Sequence, residues 1–259
     1  MLLVIDMGNT NGVFALYEGE KLRHIWRLET VRTRLAEEYA AFFTPLCTHA
    51  GISVPEIQGV IVGSVVPETE GALRTFCQAV FGVWPLILTK DHIPMAMAVD
   101  QPESVGIDRL VNAWAVKVFY RTPALVIDFG TATTFDVIDK GGAFAGGAIA
   151  AGCGLCSAAL HKAASQVPLV FVEKPAGVIG KNTREALQSG LYWGTIGLVS
   201  GLVSRIKAEQ GGDELFVLAT GGLAGLFIED LPFVDVFDPE LTLKGLLSVY
   251  KDMKGTEIL

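Results

Sequence analysis

Leu2-Leu3-Val4-Ile5-Asp6-Met7-Gly8-Asn9-Thr10 opens the chain, and Ala124-Leu125-Val126-Ile127-Asp128-Phe129-Gly130-Thr131-Ala132-Thr133-Thr134 repeats its plan mid-way. In each, an apolar strand runs into an aspartate and a small-residue turn. A second strand-like run follows, Val13 to Tyr17 in one case and Phe135 to Ile138 in the other. Such a hairpin presents backbone N–H groups and Thr or Asn side chains to a phosphate, with the aspartate placed for a metal or a water. Two hairpins facing each other across a cleft would make a nucleotide site, so the feature points to phosphoryl transfer.

Outward from the first hairpin, strands are expected at 2–6, 12–17, 22–28, 58–64 and 84–89, with helices at 34–50 and 67–81. A helix near 104–120 leads to the second half. There, strands are expected near 124–128, 134–138, 144–149 and 215–219, with helices at 156–165, 183–209, 222–228 and 241–252. Three adjacent strands followed by alternating helix and strand is a mixed-sheet α/β pattern. A boundary is expected near 118–123, giving domains of residues 1–120 and 121–259.

The 259 residues are 51% hydrophobic and 19% charged, enough for a large core. A net charge of −8 argues against nucleic acid or an anionic membrane as partner. The first strand begins at once, with no basic region ahead of an apolar one, so a cytoplasmic protein is expected. Residues 141–160 carry no charge, but six glycines and seven alanines make them a poor spanning helix. Cys153-Gly154-Leu155-Cys156 lies at an expected helix start, where a lowered thiol pKa would suit a redox pair. Two small residues packed beside a glycine turn is the preferred, plainer reading.

The expected long helix starts with Asn182-Thr183-Arg184-Glu185, which fits a capping box. Gly190, Gly194, Gly197 and Gly201 then fall on one face. Each costs a helix roughly 1 kcal/mol against alanine. A closely approaching backbone would compensate, either the same helix of a partner subunit or the domain's own sheet.

Neither G-x-x-x-x-G-K-[ST] nor G-x-G-x-x-G occurs. A third element, Leu215-Phe216-Val217-Leu218-Ala219-Thr220-Gly221-Gly222-Leu223-Ala224, reads as a buried strand ending in a turn where backbone can lie flat against an adenine or ribose. Gly106-Ile107-Asp108-Arg109-Leu110-Val111-Asn112-Ala113 sets an acid beside a base at a helix start. Such a pair is ordinarily a surface ion bridge; its place just ahead of the second hairpin makes Asp108 the catalytic candidate.

In this order the three elements resemble the sugar kinase, Hsp70 and actin (ASKHA) superfamily, which implies two ribonuclease H-like α/β domains. More closely, the motifs around Asp6, Asp108 and Asp128–Asp136, with Gly146-Gly147-Ala148-Ile149, Gly180-x-x-Thr183, Gln188-Ser189-Gly190 and Thr220-Gly221-Gly222-Leu223, resemble the type III pantothenate kinases. The resemblance implies ATP-dependent phosphorylation of pantothenate on the way to coenzyme A. It also implies a homodimer, a magnesium ion with ATP, and a monovalent cation, potassium or ammonium.

Carried onto this chain, the resemblance makes Asp6, Met7, Gly8, Asn9, Thr10, Asn11, Gly12 and Val13 the cradle of the ATP phosphates, with Asp6 near the magnesium. Thr131 would bind an ATP phosphate, Gly221 and Gly222 the adenosine, and Asp128 the monovalent cation. Asp108 would be the general base, while Gly106, Ile107, Asp108, Arg109 and Thr183 would meet pantothenate. Three places depart from the family pattern. Ala151-Gly152 stands for Pro-Gly, Val99-Asp100 where an aromatic is usual, and Gln166-Val167-Pro168-Leu169 for a Leu-Pro-Arg-like run. A non-catalytic ATP-binding regulator, or a kinase of another small hydroxylated metabolite, are the alternatives.

Overall fold

Four large aliphatic residues in a row suit a central strand covered on both sides, and Leu2–Ile5 are each 1% exposed or less. In the computed structural model, which describes residues 1–164, 166–210, 212 and 214–255, they form β1 (Leu2–Met7). It is followed by β2 (Asn11–Glu18), β3 (Lys21–Glu29), β4 (Gly59–Ser64) and β5 (Leu86–Ile87). These make one sheet in the order β3-β2-β1-β4-β5, with the β1–β2–β3 pairings antiparallel and the β1–β4–β5 pairings parallel. Strand alternation sends Leu3, Ile5 and Met7 into an apolar cluster with α1 (Ala36–His49) and α2 (Glu70–Phe81). Phe43 of α1 is its aromatic hub, edge-on to Trp26, Phe76 and Phe81 at centroid distances of 5.3, 5.9 and 5.5 Å.

Leu2, Val4 and Asp6 point to the opposite face. After α3 (Ile107–Phe119) the scheme repeats. A second sheet comprises β6 (Ala124–Phe129), β7 (Ala132–Ile138), β8 (Phe144–Ala151), β9 (Phe216–Thr220) and β10 (Val236–Phe237), in the order β10-β9-β6-β7-β8. Leu125, Ile127 and Phe129 enter its apolar cluster with Tyr192, Val199 and Val203, so Asp128 points to the other face as Asp6 does. The helices are α4 (Cys153–Ala163), α5 (Thr183–Glu209), α6 (Ala224–Phe227) and α7 (Leu241–Lys254).

By packing, the chain divides into one unit of residues 1–94, 103–115 and 242–259 and another of 95–102 and 116–241. A single cut near residue 120 would leave α7 with the C-terminal half, yet α7 groups with the first sheet. The cause is close packing: a Cβ on Gly63 of β4 would lie 2.8 Å from Leu246, and one on Gly245 would lie 2.6 Å from the Val111 carbonyl of α3. Elsewhere the expected elements differ mainly at their ends. Pro67–Thr69 is a 3₁₀ turn ahead of α2, the strand expected at 84–89 shortens to two residues, and the helix expected near 222–228 is a single turn. The uncharged run 141–160 folds as a turn, β8 and the start of α4. Among the described residues no helix is long and apolar enough to cross a membrane.

Candidate functional site

Asp6 is the penultimate residue of β1, paired in register with Val13 of β2 and Gly63 of β4. The turn beyond it closes through a hydrogen bond from the Gly8 amide to the Asn11 carbonyl at 3.1 Å. Asn9, Thr10 and Asn11 are exposed, whereas Met7 and Gly12 are buried. Of the expected cradle 6–13, then, Met7 spends its side chain on the core and has only backbone to offer a ligand. Thr30, which the motif reading passed over, donates from its amide to the Thr10 carbonyl (2.8 Å) and from its hydroxyl to the Gly8 carbonyl (2.7 Å). Its only sequence signal is its place one residue beyond β3.

Asp108 is held at the start of α3, where negative charge faces the positive end of the helix. Its Oδ1 accepts a hydrogen bond from the Arg109 amide at 2.8 Å. Gly106 leaves space for it, since a Cβ there would stand 2.5 Å from that oxygen. Ile107 is buried at 9% exposure, so its side chain serves the core. Asn112, one turn on, accepts a hydrogen bond from the Thr242 hydroxyl at 2.7 Å and helps tie α7 to α3. The polar cluster read from the sequence therefore divides into a half-buried aspartate at the helix start and a buried structural amide.

In the second unit Asp128 holds the position of Asp6, paired with Thr134 of β7 and Thr220 of β9. The turn is one residue tighter and closes from the Gly130 amide to the Ala132 carbonyl at 3.1 Å. Thr131 is exposed. Gly221 sits at φ +96°, and a Cβ there would lie 2.6 Å from the Phe129 amide nitrogen and would also strike the Asp128 carboxylate. Glycine is thus required for β9's exit to lie flat on β6, and this brings Gly221 against Asp128. Gly222 beside it has open space around it. On the Asp128 face of β7, Thr134 donates to the buried Asp136 carboxylate at 3.0 Å.

Thr183 is exposed at the first position of α5. Asn182 caps that helix, accepting from the Glu185 amide at 3.0 Å; the Glu185 side chain returns to the amide of Lys181 instead of Asn182. Side chains added at Gly190, Gly194 or Gly197 would meet nothing within 4 Å. The stripe therefore does not pack on the chain's own sheet. Burial pushes the Cys153 thiol pKa up, outweighing the helix amides that lower it, so this thiol packs rather than reacts. Among the described residues no group of three or more His, Cys, Asp or Glu is placed to hold a metal ion.

The family model described as type III pantothenate kinase matches residues 2–205. The chain belongs to the type III pantothenate kinase family. A type III pantothenate kinase from Paramagnetospirillum magneticum is 47% identical over 253 residues, 97% of each chain. Another from Rhodospirillum rubrum is 46% identical, covering 97% of this chain and 98% of its own. Among solved structures, a protein described as a 2-dehydro-3-deoxygalactonokinase from Sinorhizobium meliloti superposes with a TM-score of 0.63 at 12% identity, over 98% and 97% of the two chains. Component A of the (R)-2-hydroxyglutaryl-CoA dehydratase of Acidaminococcus fermentans does so with a TM-score of 0.55 at 14% identity, over 99% of each. At such identities these two speak to the fold alone, two mixed sheets flanked by helices. Both hairpins, Asp108 and the start of α5 lie inside the segment matched by the family model.

Proposed function

We propose that this chain is a pantothenate kinase, moving the γ-phosphoryl group of ATP to the primary hydroxyl of pantothenate at the entry to coenzyme A synthesis. The observation that carries the reading is the Asp-turn hairpin, built twice with turns that differ by one residue, in a chain of this family. The N–H groups and hydroxyls of the Gly8–Asn11 turn would cradle the phosphates, Thr131 would take a phosphate oxygen, and the backbone of the Gly221–Gly222 turn, open at Gly222, would receive the adenosine. Asp108 would accept the hydroxyl proton as the phosphoryl group leaves. Its value lies in position and charge, because phosphoryl transfer asks little covalent help of the protein. Arg109 would balance charge on the substrate or the transferring group.

Asp6 and Asp128 offer hard carboxylate oxygens, which suit magnesium and a potassium or ammonium ion respectively. The lack of a multi-carboxylate cage among the described residues fits a magnesium that arrives with ATP phosphates. When bound, that ion would offset charge on the phosphate oxygens. The open glycine face of α5 supports a homodimer through that helix, with Thr183 near the interface and the substrate. Four unpaired cysteines agree with the reducing conditions of the cytoplasm. Retention of Asp6, Asp108 and Asp128 speaks against a non-catalytic regulator.

The test is phosphorylation of pantothenate by the purified protein, with magnesium and ATP, in potassium and then in sodium buffer. Product that depends on potassium is expected. ATP binding without product in either buffer would overturn the reading. Light scattering should give twice the chain mass; a monomer would refute the α5 interface.

A further inference from the structure

Each sheet carries the same latch on its phosphate turn. Thr30 is the first residue beyond β3, and Gly152 the first beyond β8, the corresponding strand of the second sheet. The Thr30 amide donates to the Thr10 carbonyl at 2.8 Å, and the Gly152 amide donates to the Thr131 carbonyl at 3.1 Å. Thr10 and Thr131 are equivalent, each the last turn residue before β2 or β7. A second hydrogen bond reaches the glycine carbonyl of the first turn, whereas in the second turn that carbonyl only lies close to Gly152. In the first unit the Thr30 hydroxyl donates to the Gly8 carbonyl at 2.7 Å and touches the Met7 sulfur at 3.5 Å. In the second, Gly152 lies so close that a Cβ would stand 2.6 Å from the Gly130 carbonyl.

The consequence follows from the planarity of the peptide unit. In a trans peptide the C=O and the next N–H point in opposite directions. Holding the Gly8 carbonyl toward Thr30 therefore aims the Asn9 N–H away from Thr30, and holding the Thr10 carbonyl aims the Asn11 N–H away likewise. Asn9, Thr10 and Asn11 are exposed. An anion site of this type works only if its amides are oriented before the ligand arrives. We propose that Thr30 is a positioning residue for the nucleotide, its hydroxyl fixing the direction of the amides that meet the ATP phosphates. The inference rests on the reading of residues 6–13 as the phosphate cradle.

The experiment compares Thr30→Val, which keeps the shape and loses the hydroxyl, with Thr30→Ser, which keeps the hydroxyl. Steady-state KM for ATP, KM for pantothenate and kcat are measured beside the thermal midpoint, with Thr10→Ala as a direct probe of the turn. One hydrogen bond of ordinary worth predicts a rise of roughly five- to tenfold in the KM for ATP for Thr30→Val. The KM for pantothenate should stay nearly constant, and Thr30→Ser should be close to wild type. Equal rises in both KM values, or no rescue by serine, would overturn the role. An ATP KM raised by Thr10→Ala but untouched by Thr30→Val would sink the latch and leave the cradle standing. No change in either variant would remove the cradle itself.

Discussion

Gly106→Ala tests whether the carboxylate of Asp108 is the working group. A Cβ at this position would stand 2.5 Å from Asp108 Oδ1, and ordinary contact begins at 3.4 Å. The oxygen must then retreat by about 0.9 Å, and its 2.8 Å bond from the Arg109 amide is lost or lengthened. The carboxylate is the free end of a side chain, so the backbone need not move. Stability should fall by only about 1 kcal/mol, chiefly because alanine is a poorer residue than glycine ahead of a helix. Catalysis is more sensitive, since a misplacement on the order of 1 Å can cost ~100-fold in rate. We therefore expect kcat to drop about 100-fold while the melting temperature shifts by roughly 2–4 °C. ADP release coupled to NADH oxidation would give kcat, and thermal unfolding the stability. Asp108→Asn in the same assay should lose at least ~100-fold while still binding ATP. A Gly106→Ala enzyme with wild-type kcat would refute the assignment of Asp108 as base.

Gly221→Ala forces a side chain into a left-handed backbone against Phe129 and should destabilise by about 2–5 kcal/mol in urea unfolding. A loss under about 1 kcal/mol would show that β9's exit is not tightly seated on β6. Phe43→Ala removes the hub of the first aromatic cluster and should cost about 3–5 kcal/mol by the same measurement, with a near-neutral result contradicting its central place. Asp230 accepts from the buried Tyr192 hydroxyl and pairs with Lys174 at 2.7 Å, and these partners hold its pKa below the ordinary 3.8. Its stabilisation is full above the unfolded value and is lost as pH falls through the folded one. The melting-temperature gap between wild type and Asp230→Asn should thus be present at pH 7 and close below about pH 4; a gap independent of pH would exclude the ion pair as its source.

The chain wrote its own hairpins. Val-Ile-Asp followed by a glycine and hydroxyl residues specifies strand, turn and strand from neighbours only a few positions apart. The order of the strands follows from short connections and the need to bury apolar runs on both faces. The cap at Asn182 and the helix start at Asp108 are equally local, so they too were legible, as was the family. Two-residue β10, set among Asp and Pro, was not, because it exists only by pairing with β9.

What tertiary structure alone decided concerns contacts between distant residues. Nothing around Thr242 announces that α7 packs with α3 and the first sheet, since that depends on Gly63 and Gly245 making room more than 100 residues apart. Gly221 reads as an ordinary turn glycine until its backbone is found flat against Asp128 and Phe129. Thr30 reads as the polar end of a strand until its hydroxyl is found on the carbonyl of Gly8. Local sequence encodes dihedral preference and burial pattern; which carbonyl a distant donor grips is fixed only when the sheets close.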